Sequence, residues 1–278
     1  MKCELCAYSV EACRIAARLG VDRVELCASP AEGGVTPSLA TIEEACSIQG
    51  IDVSVMIRPR GGDFLYTEEE FRLMLRDIEH AHKAGATGVV FGILNADGTV
   101  DIERTRLLVK AAGGMETTFH RAVDMTVHYK QAIQDVILTG CTRILTSGGY
   151  DKAIDGIHNI KNAVSLSEGR IEIMAGSGVM ADCVAQLVET GVDALHFSAK
   201  KMIMGGMSYR NPRISMGGTE TVDEFALRTV DEEEVRKILF FVKEPSSKLE
   251  AVAEHNMAMD AAAKAKAEKE AKKAEKAA

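Results

Sequence analysis

The sequence predicts one (β/α)8 barrel, a closed ring of eight parallel strands with helices around it, followed by a C-terminal tail. Short β-branched or apolar runs alternate eight times with amphipathic helical stretches, and such alternation is typical of parallel sheets. The chain has 278 residues, enough for the roughly 250 that such a barrel needs. An open, doubly wound sheet is the alternative, because alternation alone does not show that the sheet closes.

The predicted elements divide the chain at residue 243. Several helical stretches end at a glycine, which adopts the left-handed conformation common just after a helix, and Thr67 to Glu70 matches a capping box. Residues 199–230 form a long connection. We assign residues 1–243 to the barrel and 244–278, rich in alanine, lysine and glutamate, to a helical or disordered tail. The predicted strands are 2–7, 23–27, 52–58, 88–94, 116–121, 142–147, 171–176 and 193–198.

Composition restricts the partners and the compartment. The net charge of −8 argues against duplex nucleic acid as a partner. No apolar run reaches the roughly 18 residues of a membrane span, and the N-terminus does not resemble a signal peptide. The seven cysteines, an odd number, indicate reduced thiols, so we expect a cytoplasmic protein. Whether the chain forms a homo-oligomer stays open.

Ionisable side chains stand at the predicted C-terminal ends of several strands. In a parallel barrel these ends point to the mouth, where active sites lie. Any one of these residues is equally well explained by a buried ion pair that holds the barrel together. Several unpaired charges are costly to bury, however, so the group as a whole favours a functional site. The candidates for catalysis are Glu4, Glu25, His120, Arg121 and Asp124.

Two glycine-bearing turns and one strand end supply candidates for substrate binding. The turn after the third strand contains two arginines, whose guanidinium groups suit carboxylate or phosphate. The turn after the seventh strand opens a helix, a position where barrels often bind phosphate, although a tight turn also needs glycine. The substrate-binding candidates are Arg58, Arg60, Asp63, Ser147, Gly176, Ser177 and Gly178.

One tripeptide, Glu-Leu-Cys, occurs on both of the first two strands. In matching register, Glu4 would lie beside Glu25, and Cys6 beside Cys27, on one face of the sheet. Two thiols on neighbouring strands could hold a soft ion such as Cu(I). The alternative is that both cysteines are small buried hydrophobic residues.

Six segments of the sequence resemble the CutC copper-homeostasis family, in family order over about residues 1–242. The resemblance implies a cytoplasmic TIM barrel with a role in copper homeostasis, and Cu(I) binding through Cys6 and Cys27. The segments are 22–27 (DRVELC), 32–38 (EGGVTPS), 57–64 (IRPRGGDF), 118–125 (TFHRAVDM), 145–148 (LTSG) and 209–211 (YRN).

Two functions of different classes follow. The first is a Cu(I)-binding homeostasis protein. The second is a barrel enzyme with lyase-like or isomerase-like acid–base chemistry on a small anionic or hydroxylated metabolite. In the second, Glu4 or Glu25 would be the base and His120 the acid. Arg58 and Arg60 would hold the substrate. The enzyme hypothesis requires the candidates to surround one pocket, with Arg60, Asp63 and Asp124 at its rim.

Overall fold

The computed structural model describes residues 1–211, 213–214, 223 and 225–244. Eight parallel strands of this part form a closed barrel in sequence order, so the predicted fold class is confirmed and the open sheet is excluded. The barrel strands are β1 (Lys2–Ala7), β2 (Arg23–Leu26), β3 (Asp52–Met56), β4 (Gly88–Phe91), β5 (Glu116–Phe119), β6 (Arg143–Thr146), β7 (Glu172–Gly176) and β8 (Ala194–Phe197).

Helices surround the barrel, and capping residues mark where several of them begin or end. The capping box at Thr67 and Glu70 is present, and Asp231 accepts hydrogen bonds from the first turn of the last helix. Gly20 and Gly140 end two helices with φ of 76° and 85°, values that favour glycine. The helices are α1 (Val10–Leu19), α2 (Leu39–Cys46), α3 (Glu68–Lys83), α4 (Ile102–Ala111), α5 (Tyr129–Thr139), α6 (Ile157–Ser167), α7 (Val184–Val188) and α8 (Glu232–Lys243).

Side chains alternate between two environments along each strand. On β1, Cys3, Leu5 and Ala7 belong to the large apolar core between strands and helices. Glu4 and Cys6 face the barrel interior, which is polar here. None of the helices in the described ranges combines the length and apolarity needed to cross a membrane.

The register of β1 and β2 differs from the predicted one. Glu4 aligns with Arg23, and Cys6 aligns with Glu25, so the two Glu-Leu-Cys tripeptides are offset by two residues. The prediction of matching register was wrong because neighbouring strands of a closed barrel are staggered. An offset of two preserves the alternation, so these side chains still share the interior face. Cys27 follows β2, and its N–H donates to the carbonyl of Ala7 at 2.9 Å.

Two arginines in the barrel interior are almost completely buried, with 1% exposure each. Arg23 forms a short ion pair with Glu4 and also donates to Glu116 Oε2 at 3.2 Å. Arg143 donates to the same Glu116 oxygen at 2.8 Å and to Glu172 at 2.8 Å. These contacts link five strands through one ion-pair network inside the barrel.

Two sequence-based assignments need correction, and a third concerns residues outside those that the structure describes. Most predicted strands are one to three residues too long: several end too late, because their last residues already belong to the loops at the mouth, and β6, β7 and β8 begin one residue later than predicted. The connection at 199–230, predicted as a loop, contains an antiparallel hairpin, β9 (Lys200–Met204) and β10 (Ala226–Val230). Residues 245–278 lie outside the described residues, so the boundary at 243 stays a prediction.

Replacing Arg23 should test the energetic role of the interior network. In Arg23→Met, the fully buried Glu4 carboxylate loses its guanidinium partner, and breaking a buried pair in this way costs about 3–5 kcal/mol. We expect a loss of that size in chemical denaturation. Arg14→Met removes an exposed arginine from an ion pair with Glu11 and should change the free energy of unfolding by less than about 1 kcal/mol. Similar losses in both variants would contradict this role.

Candidate functional site

A cavity of about 540 Å³ opens at the C-terminal ends of the barrel strands. Small-molecule sites typically have volumes of about 300–1,000 Å³, so the cavity has the size of a metabolite site. The predicted site residues on its wall are Cys6, Glu25, Arg58, His120, Arg121, Ser177 and Gly178. Further wall residues that could contact a ligand are Tyr8, Met56, His196, Lys200 and Arg228.

Glu4 does not line this cavity within the described residues, contrary to prediction. Its side chain is fully buried one level below, between the guanidinium group of Arg23 and the ring of His196. His196 Nδ1 lies 2.8 Å from Glu4 Oε1. Burial alone would raise the pKa of Glu4, but His196 and Arg23 lower it to about 2. Glu4 is therefore an anion that positions the imidazole.

His196 stands between two carboxyl groups and a thiol. Its Nε2 lies 3.7 Å from Glu25 Oε2. Cys6 Sγ, a Glu25 oxygen and a His196 nitrogen all lie within 4.8 Å of one another. Burial alone would lower the pKa of His196, but Glu25, Cys6 and Glu4 raise it well above its usual value.

The Glu25 carboxyl group is 3% exposed, and its Oε1 has no hydrogen-bond partner among the described residues. Burial raises its pKa from 4.5 to about 8, against the opposing charge of His196. Glu25 is thus a buried acid whose neighbouring cation, His196, also pairs with Glu4, which is unusual for a purely structural residue.

The two cysteines of the repeated tripeptide are neighbours despite the register offset. A hydrogen bond from Cys27, assisted by His196, lowers the pKa of the Cys6 thiol well below 9.0, although burial alone would raise it. Cys27 Sγ also donates to Glu25 Oε2 at 3.5 Å. Cys27 and Met56 form a small apolar cluster against which Cys6 and Tyr8 pack. Three sulfur-bearing side chains therefore lie together, and Cys6 and Met56 among them line the cavity.

His120 lies after β5, in the half of the barrel opposite β1. Its Nδ1 accepts a hydrogen bond from the Ala122 N–H at 3.1 Å. Burial, reinforced by the nearby Arg58 and Arg121 charges, lowers its pKa to about 3. The ring packs on Phe64 at 5.0 Å between centroids. At neutral pH His120 is uncharged, which does not suit the role of general acid that the sequence suggested.

The two predicted arginine clamps are already engaged in shaping loops. Arg58 donates to the carbonyls of Glu32 at 2.7 Å, Gly34 at 3.0 Å and Gly62 at 2.8 Å. These bonds hold the loops after β2 and β3 together at the cavity wall.

Arg60 and Asp63 do not line the cavity within the described residues, so their predicted place at its rim was wrong. Arg60 Nε donates to Glu70 Oε1 at 2.6 Å, and Nη1 lies 3.1 Å from Asp63 Oδ1. The contact with Glu70 draws the Arg60 side chain toward α3 and away from the mouth, and the contact with Asp63 holds it within its own loop.

Asp124 supports the cavity wall from behind. Its carboxylate accepts hydrogen bonds from the Ser147 N–H at 2.9 Å and the Gly149 N–H at 2.9 Å. Arg121 Nε donates to the Asp124 carboxylate at 3.0 Å, and this bond holds the Arg121 side chain at the wall. Asp124 and Ser147 therefore position Arg121 without reaching the cavity themselves.

Gly176 also lies behind the wall, where a larger residue would not fit. A Cβ at this position would lie 2.5 Å from Leu145 Cδ1 and 3.1 Å from His196 Cβ. The absent side chain lets both neighbours reach the cavity.

His196 was not among the residues that the sequence suggested for catalysis or binding. The signal was available, because His196 occupies an interior position in a short apolar strand, as Glu4 does on β1. Lys200 and Arg228 were missed because the hairpin that carries them was predicted as a loop.

The pKa of Glu25 predicts a pH dependence of stability. Between about pH 4.5 and 8 the folded protein keeps a proton that the unfolded chain has lost, so Glu25 lowers stability progressively as pH rises through this range. In Glu25→Gln this loss is absent. Relative to the wild type, the variant should gain on the order of a few kcal/mol from pH 5 to pH 8.

Denaturation midpoints measured across this range with a metal chelator present would test the prediction. Glu69→Gln, at an exposed position, is the matched control. Parallel stability curves for wild type and Glu25→Gln would contradict it.

Known proteins resemble this chain over most of the barrel. A CutC family protein of Bacteroides thetaiotaomicron is 46% identical over 224 residues, covering 80% of this chain and 90% of that protein. One from Glaesserella parasuis is 43% identical over 244 residues, covering 87% and 99%.

Solved structures agree with this likeness. The CutC structure from Streptococcus agalactiae, provisionally named for copper homeostasis, is 37% identical with a TM-score of 0.67, covering 70% of this chain and 97% of that one. An aldolase of 16% identity and TM-score 0.54, covering 70% of this chain and 88% of its own, shares the fold alone. The CutC family model matches residues 1–201, and the chain belongs to the CutC family.

Proposed function

We propose that the protein binds Cu(I) through the thiolates of Cys6 and Cys27 as part of copper homeostasis. The observation that carries this proposal is the packing of Cys6 against Cys27 in one small cluster. A hydrogen bond from Cys27 lowers the pKa of the Cys6 thiol and so favours its thiolate form. Cu(I) prefers soft sulfur ligands and accepts low coordination numbers. The Met56 thioether packs in the same cluster and offers a third soft donor.

Surrounding groups support the same assignment. Both cysteines are free, and Cys27 is 1% exposed, so an ion held there would be shielded from competing water ligands. The CutC structure from Streptococcus agalactiae is provisionally named a copper homeostasis protein, which is consistent with this role. Free thiols throughout the described residues fit the reducing cytoplasm, where we place the protein.

Replacing both cysteines should abolish stoichiometric Cu(I) binding. We expect Cys6→Ser with Cys27→Ser to lose the site in a competition titration against a Cu(I) chelator, because the hydroxyl groups are hard and do not ionise at neutral pH. The melting temperature shows whether the fold is intact. Cys46→Ser with Cys141→Ser, both away from the cavity, is the control and should bind as the wild type does. An unchanged affinity in the first variant would refute these ligands.

A second function is favoured by the size of the cavity. A volume of about 540 Å³ exceeds what one ion needs, and Arg121, Lys200 and Arg228 lie on its wall. Within the part of the chain that the structure describes, Lys200 and Arg228 have no ion pair within 4.0 Å, although Arg228 stacks on Tyr8. These features suit an enzyme acting on a small anionic or hydroxylated metabolite.

In this second function the roles differ from those suggested by sequence. His196, held by Glu4, and the neighbouring Glu25 would transfer protons. The neutral His120 would donate or accept a hydrogen bond, and Asp124 would position Arg121.

Native mass spectrometry after exposure to a metabolite extract would test the second function. We expect the wild type to retain a small anion, and retention to fall at least about tenfold in Arg121→Met, because a charge-assisted hydrogen bond is lost. Arg106→Met, on the outer face of α4, is the control. Failure of the wild type to retain any metabolite would remove the support for an enzyme. We also propose that the protein forms a homo-oligomer, and the same spectra would report its oligomeric state.

A further inference from the structure

The hydrogen bond between His196 and Glu4 fixes which ring nitrogen is available for other contacts. His196 Nδ1 donates to Glu4 Oε1 at 2.8 Å, which leaves Nε2 on the side of Glu25 and Cys6. Histidine ligands of metals almost always donate their other N–H to a carboxylate or carbonyl in this way. Glu4 is fully buried and forms an ion pair with Arg23, so its carboxylate is a rigid hydrogen-bond partner for the His196 ring.

Three donor atoms converge on the free side of His196. They come from three adjacent strands, β1, β2 and β8, and lie within 4.8 Å of one another. Ligand atoms bound to one Zn²⁺ at about 2.0–2.3 Å would be about 3.5 Å apart. The separation of His196 Nε2 from Glu25 Oε2 is already 3.7 Å, so small side-chain rotations would complete the site.

One buried polar atom at this point lacks a partner within the described chain. Glu25 Oε1 is buried and has no hydrogen-bond partner among the described residues, and the Cys6 thiol lies beside the same carboxyl group. One thiolate and one carboxylate together balance a divalent ion. Without such an ion, Glu25 Oε1 stays a buried polar atom with no partner among the described residues, which is costly.

We propose that Cys6 Sγ, a Glu25 carboxylate oxygen and His196 Nε2 bind Zn²⁺, with a fourth position open to the cavity. A mixed set of sulfur, nitrogen and oxygen donors suits Zn²⁺, whereas Cu(I) prefers sulfur. Three protein ligands with one open position are typical of catalytic zinc. This site goes beyond the proposed Cu(I) pair, with which it shares only Cys6.

The site also gives the second function a definite chemistry. All three ligand residues line the cavity, so a molecule bound there reaches the open position. A zinc ion polarises a carbonyl oxygen or lowers the pKa of a bound water. In this use the inference rests on the enzyme hypothesis, whereas binding of the ion does not.

Parallel titrations with Zn²⁺ and Cu(I) would separate the two metal sites. We expect Glu25→Gln and His196→Asn to weaken Zn²⁺ binding, measured against a chromophoric chelator, by at least about a hundredfold. The outer-partner variant Glu4→Gln should weaken it roughly 10–100-fold. Cys27→Ser should leave Zn²⁺ affinity within a few-fold and abolish the Cu(I) site. Cys6→Ser should remove both.

A second readout does not depend on the stability of variants. Co²⁺ added to the metal-free wild type should give a thiolate-to-cobalt charge-transfer absorption that Zn²⁺ displaces. Wild-type protein that binds Zn²⁺ no better than Glu25→Gln, or a Co²⁺ spectrum without thiolate absorption, would overturn the inference. Loss of Cu(I) binding in Cys27→Ser with no Zn²⁺ binding by the wild type would leave the copper proposal standing alone.

Discussion

One buried carboxylate, that of Glu4, joins the two parts of the barrel interior. On one side it pairs with Arg23 and, through Glu116, with Arg143 and the strands beyond. On the other it holds the imidazole of His196 at the cavity. Because the group is completely buried, its charge is stable only while both partners are in place. The network that stabilises the barrel and the side chain that faces a ligand are thus coupled through a single anion.

Sequence reasoning reached the fold, and it brought several candidate residues to one cavity, because both depend on periodicity. Strand alternation and the polarity of strand ends placed Cys6, Glu25 and His120 around one mouth, and the cavity wall contains all three. The offset of two residues between β1 and β2 could not be predicted from the sequence, since the stagger between barrel strands is set by closure of the whole sheet. The destination of each arginine was also unpredictable: Arg58 and Arg60 are two residues apart, yet one shapes the wall and the other reaches α3.

The cavity wall is chemically divided. Soft sulfur atoms, the Glu25 carboxyl group and the His196 imidazole lie together near β1, β2 and β8, whereas the β5 side presents a neutral histidine and a positioned arginine. A thiol that serves two kinds of ion can serve only one at a time. Copper occupying the sulfur pair would therefore exclude chemistry that needs Cys6, so a copper-binding role and an enzymatic role would regulate each other by occupancy.

The hairpin of β9 and β10 has a consequence for how such a protein diversifies. It contributes Lys200 and Arg228 to the wall, but β9 and β10 pair only with each other in the described chain, outside the barrel sheet. A change of sequence there alters the charge at the entrance without disturbing any barrel strand. The charge that a ligand meets at the cavity wall can therefore change while the side chains of the barrel strands stay in place.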